Sequence, residues 1–223
     1  MQRSAIIVAG GSGTRIGGVL PKQFQDLLGR PMLCWTLEAF AAFDPDLDLV
    51  LVLPAVHRTT WEELRRRHGF HLPHRVTDGG HDRTASVRNG LSQVDHDGVV
   101  GVHDGARPLA SPALIERCFT TAEELGNAVP VVPVTSSLRE VTLEGNQAAD
   151  RTRYRLVQTP QCFRAHLLRE AFEQAGDASY TDEAGLVESA GNPIHLVDGE
   201  AHNLKVTEPL DLRVAALLLG GRL

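Results

Sequence analysis

Apolar runs rich in β-branched residues alternate along the chain with segments whose apolar residues recur at helical spacing. The strand-like runs are 5–9, 49–53, 99–103, 129–134 and 194–197. The helical segments are 32–43, 58–68, 85–94, 112–125, 165–174, 182–190 and 209–219. Strands that are apolar throughout are buried on both faces, and alternation with helices supplies the cover. Together these patterns predict an α/β fold on a doubly wound, mostly parallel sheet. Ligands of such sheets sit outside the carboxyl ends of the strands, so the residues that follow each run matter most. Helix starts are marked by Ser111 before Pro112, and by Thr207 and Glu208 before Pro209. Both pairs suit a capped first turn with proline just inside it.

One segment breaks this rhythm. The stretch 135–155, TSSLREVTLEGNQAADRTRYR, is polar, alternates weakly and carries a turn signal at 144–146. It predicts a projecting β-hairpin arm rather than core. The whole chain, 1–223, is otherwise read as one domain, since its length suffices for a large α/β core and no repeat or low-complexity linker divides it.

Composition narrows the function. A net charge of −6 argues against a nucleic-acid surface, which needs a basic stripe. The basic run at 65–67 is balanced by Glu62 and Glu63, which predict i,i+4 pairs with Arg66 and Arg67. Cys34, Cys118 and Cys162 are far apart and form no CxxC pair, so neither zinc nor a disulfide framework is suggested. A reducing, cytoplasmic setting suits them. The first apolar run is too short for a signal peptide, and no later run approaches a membrane span. His68, His71 and His74 invite a metal reading, but Pro73 interrupts any helix that would align them. Trp35 and Trp61 fall on helical patterns and are read as packing residues.

The chemistry begins where the first strand ends, in AGGSGTRIGGVLPKQF. A Walker A loop needs a lysine directly after its last glycine, and none follows Gly17 or Gly18. Gly11, Gly13 and Gly17 give GxGxxxG, not the dinucleotide fingerprint. What remains is a glycine turn whose amides can approach an anion, followed by Arg15 and Lys22. A planar fork and a point charge together suit a polyphosphate.

Further motifs follow: DGGHDRTASVRNGL, VHDGARP, VQTPQCF, YTDEAGLVE and HNLKVTEPLDL. The glycine loop resembles the signature of nucleotidyltransferases that join a nucleoside monophosphate to a sugar or polyol phosphate. In order and spacing, the later motifs resemble those of the 2-C-methyl-D-erythritol 4-phosphate cytidylyltransferase family, which acts in non-mevalonate isoprenoid synthesis. The resemblance runs from about residue 5 to about residue 219. It implies a Rossmann-like nucleotidyltransferase fold and transfer of CMP from CTP to the polyol phosphate, with release of pyrophosphate. It also implies a Mg²⁺ cofactor and a homodimer formed through the arm.

The same resemblance distributes roles. Ala9, Gly10, Gly11 and Gly13 cradle the triphosphate, and the catalytic cations are Arg15, Lys22 and Lys205. Gly80, His81 and Ser86 read the cytosine, with Arg83 supporting their loop. Asp104, beside Gly105, contacts the CTP and holds the metal, while His103 is read as structural. Arg107, Ser137, Arg151 and Thr181 face the acceptor, although Thr181 and Asp182 equally suit a helix cap. His81 and the pair Ser136 and Ser137 depart from the residues common at those positions. An acceptor phosphate that is already ionised needs no general base; positioning and charge neutralisation are the tasks. Two alternatives share parts of this pattern. One is ribitol-5-phosphate cytidylyltransferase, and the other is a catalytically silent nucleotide-binding protein.

Overall fold

In the computed structural model, which describes residues 1–10, 21–176 and 178–221, the strands follow the expected alternation. The first six are β1 (Arg3–Val8), β2 (Asp26–Leu27), β3 (Arg30–Pro31), β4 (Asp48–Leu53), β5 (Arg75–Asp78) and β6 (Val99–Asp104). The others are β7 (Asn127–Pro133), β8 (Leu138–Thr142), β9 (Gly145–Ala149), β10 (Arg155–Val157), β11 (Gln161–Arg164) and β12 (Leu196–Asp198). Helices α1 (Met32–Phe43), α2 (Arg58–Arg67), α3 (Arg83–Leu91) and α4 (Pro112–Leu125) are joined by α5 (Ala165–Ala175), α6 (Glu183–Ser189) and α7 (Pro209–Gly220).

Among the described residues, the central sheet runs β10-β7-β11-β6-β1-β4-β5, with β12 also on β7. β1 pairs in parallel with β4 and β6, and β4 with β5. β11 inserts antiparallel between β6 and β7, so the sheet is mixed though mostly parallel. From β1 the chain winds outward to β5, then returns to lay β6 on the other side of β1. That reversal makes the carboxyl ends of β1 and β6 a topological switch point, where a crevice opens.

The period of two along each strand sorts the core into two layers. Ala5, Ile7, Leu49, Leu51 and Leu53 face α1, α2 and α4, meeting Phe40, Trp61 and Phe119. Ile6, Val50, Val52, Val100 and Val102 face the opposite layer, meeting Val87, Leu168, Phe172 and Leu186. A strand with both faces covered has no polar position, which is why these runs read as continuous. The short strands β5, β10 and β11 carry no such run and do not stand out in the sequence. Gln161 in β11 is fully buried because its amide donates to Asp182 and accepts from the Ala184 amide.

The predicted arm is a hairpin of β8 and β9, but its turn falls at 143–144 rather than 144–146. Gly145, at φ 141°, takes the first paired position of β9 instead of lying within the turn. The predicted α2 pairs also shift. Glu62 bonds Arg65 at 3.2 Å, and Arg66 donates to the Glu62 carbonyl. His74 accepts from the Trp61 indole and donates to the Leu72 carbonyl, so it serves packing. Trp61 is fully buried, as its helical position implied.

Helix α3 carries the loop that matters for function, and its seat on the sheet is tight. A Cβ at Gly90 would lie 2.5 Å from Ile6 Cγ2 and 2.9 Å from Val52 Cγ2, two methyls on stiff β-branched side chains. Overpacking of this kind costs about 1–3 kcal/mol, against about 1 kcal/mol of helix propensity gained. Gly90→Ala is therefore expected to lower the urea midpoint, corresponding to a net loss of up to about 2 kcal/mol; a higher midpoint would show that α3 can shift away from the sheet at little cost.

Candidate active site

A pocket of about 220 Å³ opens at the switch point. It is lined by Gly10 after β1, Lys22, Gly80, Ser86, Asp104 at the end of β6, and Lys205. Ala9 and His81 border it too. Gly11, Gly13 and Arg15 lie outside the described residues. Segments distant in sequence thus converge, and the hydrogen bonds explain how.

The sequence PKQF is tied down at both ends of its short 3-10 turn. Gln23, almost fully buried, donates to the Ala9 carbonyl at 2.6 Å. Lys22 Nζ donates to the Val206 carbonyl at 3.2 Å, which brings the first lysine beside the segment carrying the second. Gly105 donates to the Val8 carbonyl, and a Cβ there would come within 3.0 Å of Ala9 Cβ. The small residue eases this close approach of two strand ends, where a side chain would have to displace its neighbours by a few tenths of an ångström.

The loop 79–86 caps α3 while presenting its backbone. Asp82 accepts from the Ala85 amide at 2.7 Å as the N-cap. The Ser86 hydroxyl donates to the Asp82 carbonyl and accepts from the Gly80 amide, leaving one acceptor lone pair. At Gly80 any Cβ would fall 2.3 Å from Ala85 Cβ, so only glycine fits. The His81 ring is exposed, with Asp82 3.6 Å away.

Asp104 is the centre of the charge pattern. Lys205 Nζ lies 3.0 Å and Arg107 Nε 3.4 Å from its Oδ2, and Arg83 Nε lies 3.7 Å from its Oδ1. Burial works to raise its pKa, but the combined field of Lys205, Arg83 and Arg107 prevails and holds it well below the usual carboxylate range. The hydrogen bonds that described residues make to this carboxylate fall on Oδ2. Asp104 lines the pocket, and its Oδ1 has Arg83 Nε at 3.7 Å, beyond hydrogen-bond reach. One ionised hard oxygen, with phosphate and water to complete the shell, is a donor set that fits Mg²⁺.

Behind Asp104 the polar groups close into one chain. Its amide donates to Thr159 Oγ1 at 3.1 Å, and that hydroxyl donates to His103 Nδ1 at 3.0 Å. His103 Nε2 in turn donates to the Arg107 carbonyl at 3.0 Å, which fixes the neutral tautomer. Arg107 Nη1 donates to the Asn203 carbonyl at 2.8 Å. Asn203, fully buried, donates to the Thr159 carbonyl, and Gln158 reaches both Glu200 and Asn203. VHDGARP, VQTPQCF and HNLKVT are thereby one unit. The sequence reading identified these motifs but assigned no partner to Gln158, Thr159 or Asn203.

Two residues expected on the acceptor side also lie within the structural network. Arg107 Nε donates to Asp104 Oδ2 at 3.4 Å and its Nη1 to the Asn203 carbonyl. Asp182 is the N-cap of α6, accepting from the Gly185 amide, so the capping role anticipated for this pair holds for it, with Thr181 exposed beside it. Ser137 and Arg151, on the arm, are not among the residues lining the pocket. Arg151 donates to the Thr135 carbonyl. Glu183, which sequence reasoning left without a role, is almost fully buried and bonds Arg83 at 2.5 and 2.8 Å.

Comparison with known proteins gives these motifs a common context. Residues 4–221 match the family described as IspD, 2-C-methyl-D-erythritol 4-phosphate cytidylyltransferase. A protein of that name from Bacteroides fragilis is 47% identical over 219 residues, spanning 98% of this chain and 100% of its own. Another from Geobacillus kaustophilus is 36% identical over 226 residues, spanning 100% of this chain and 99% of its own. The crystal structure of 2-C-methyl-D-erythritol 4-phosphate cytidylyltransferase from Thermus thermophilus superposes with a TM-score of 0.81 at 36% identity, covering 98% of both chains.

The buried network carries a pH signature. Burial pushes His103 down to about 4 from its ordinary value of 6.5. Between those values the unfolded chain binds a proton that the folded chain refuses, so stability falls as pH drops from 6.5 towards 4. The loss attributable to His103 approaches roughly 3 kcal/mol across that interval. Urea midpoints at about pH 7 and about pH 4.5 are expected to separate more in the native protein than in His103→Gln, and equal separations would place the proton elsewhere.

Proposed function

The chain belongs to the 2-C-methyl-D-erythritol 4-phosphate cytidylyltransferase family, and we propose that its pocket at the switch point holds CTP for attack by the polyol phosphate. The reaction transfers CMP from CTP to 2-C-methyl-D-erythritol 4-phosphate, giving 4-diphosphocytidyl-2-C-methyl-D-erythritol and pyrophosphate. The observation that carries the site assignment is the meeting of Lys22 and Lys205, 183 positions apart in sequence, around one ionised carboxylate.

The cytosine sits against the loop 79–86. The remaining lone pair of Ser86 Oγ can accept from the exocyclic amine, a donor that uracil lacks. The backbone of Gly80 and His81 supplies the other edge contacts, consistent with a His81 ring that turns to solvent. The triphosphate extends towards Gly10, with Arg15 contributing from the glycine loop. Lys22 and Lys205 neutralise charge that builds on the α-phosphoryl oxygens as the acceptor phosphate oxygen bonds to phosphorus and the bond to pyrophosphate breaks. No proton need be removed from the nucleophile, so the site's resource is cations already fixed in place. Asp104 Oδ1 would hold Mg²⁺, which when bound neutralises phosphate charge and orients the triphosphate. Arg107 acts by holding Asp104 and the HNLKVT segment as well as by its field at the acceptor side.

The acceptor site is completed by a second copy of the chain. Ser137 and Arg151 sit on an arm that also exposes Val141 and Leu143, while Leu156 is exposed on the nearby β10. An apolar strip of that kind suits a homodimer in which each arm reaches the partner's pocket and Arg151 meets the acceptor phosphate.

Loss of one cation directed at the transferring group costs about 100-fold or more in turnover. Lys22→Ala and Lys205→Ala should each fall by at least ~100-fold in kcat for CMP transfer, with folding intact by circular dichroism. Near-native turnover in either variant would remove that lysine from the α-phosphate.

A further inference from the structure

The pairing of Arg83 with Glu183 has a consequence for Asp104. Arg83 presents both Nη atoms to Glu183, at 2.5 and 2.8 Å, in an end-on bidentate pair. That geometry leaves only Nε turned towards Asp104 Oδ1, at 3.7 Å. The other nearby carboxylate, Asp182, is already committed to the Gly185 amide and the Gln161 side chain. If Glu183 lost its charge, the carboxylate nearest to Arg83 with an oxygen that accepts no hydrogen bond among the described residues would be Asp104, 3.7 Å from Nε at Oδ1. A guanidinium that closed on Oδ1 would fill the oxygen that the Lys205 and Arg107 contacts leave open.

We propose that Glu183 is a positioning residue that restrains Arg83 and so keeps Asp104 Oδ1 available to a divalent cation. The inference rests on the reading of Asp104 as the metal carboxylate. It gives physical content to the buried ion pair, whose desolvation would otherwise make it a poor source of stability. The pair also anchors the loop 79–86 to the start of α6, and Thr84 ties it to the segment before that helix, donating to the Tyr180 carbonyl and accepting from its amide. The restraint is therefore built into the same contact that shapes the cytosine loop.

The proposal is tested with Mn²⁺ as the probe, titrated into the protein–CTP complex and read by loss of the free-ion electron paramagnetic resonance signal. Glu183→Gln is expected to raise the half-saturating Mn²⁺ concentration by at least ~10-fold, the scale on which outer-shell partners act on metal sites. Adding Arg83→Met to it should return the value to within about threefold of native, because the intruding guanidinium is gone. Glu183→Asp keeps the charge and should bind Mn²⁺ as the native protein does, which also covers the case in which the glutamine variant fails to fold. A merely structural role predicts the reverse: the shortened aspartate and the double variant would be at least as impaired as the glutamine. Either that pattern, or a glutamine variant with native Mn²⁺ binding, overturns the proposal. Asp104→Asn separates the two readings. Native Mn²⁺ binding in that variant would overturn the assignment of Asp104 itself, whereas weakened binding there with a native glutamine variant would overturn only the role of Glu183.

Discussion

Everything at the mouth of the sheet depends on one carboxylate kept ionised in a nearly closed place. Asp104 is only 8% exposed, and burial alone would drive a proton onto it. Three cations reverse that preference: Arg107 from the turn directly after β6, and, from distant segments, Arg83 at the start of α3 and Lys205 before α7. The charge is thus both a consequence of the fold and a reason for it, since each cation brings its own segment to the site. A neutral group at 104 would take from Lys205 and Arg107 the carboxylate they share, while Arg83 would keep Glu183.

The backbone around Asp104 is fixed by a second, uncharged system. Thr159, His103 and Arg107 pass one hydrogen bond to the next, and Gln158 and Asn203 tie the strand ends to the HNLKVT segment. The links from Asp104 through Thr159 and His103 to the Arg107 carbonyl have donor and acceptor assigned, so that part resists rearrangement. Positioning of this kind is what a reaction without a general base requires. The catalytic contribution lies in charges that do not have to move when the transition state forms.

Much of the fold was legible because its central strands are covered on both sides. Their continuous apolar runs and the caps at Ser111 and Glu208 located β1, β4, β6, α1, α4 and α7 closely. The strands β5, β10 and β11 were not legible: they are short, β10 is exposed, and polar residues of β5 and β11 are paired by partners remote in sequence, as Arg75 is with Asp48 and Gln161 with Asp182. Placement at strand ends and the quoted motifs brought Lys22, Gly80, Ser86, Asp104 and Lys205 forward, and the pocket does gather them. Glu183 lay within a quoted motif yet had no readable role, because its meaning comes from Arg83, 100 positions away. Arg107 likewise stood in a quoted motif, but its bonds to Asp104 and to the Asn203 carbonyl were not readable there. Spacing shows which residue types recur; it does not show which of them neutralise one another.

The central claim is that this site moves CMP from CTP onto a methylated polyol phosphate. It is tested most directly by pyrophosphate release from purified protein with CTP and Mg²⁺, offered methylerythritol phosphate and ribitol 5-phosphate in parallel. Release that depends on methylerythritol phosphate and is weak with ribitol phosphate is the expected result. Preference for ribitol phosphate, or tight CTP binding without release on either acceptor, would contradict it.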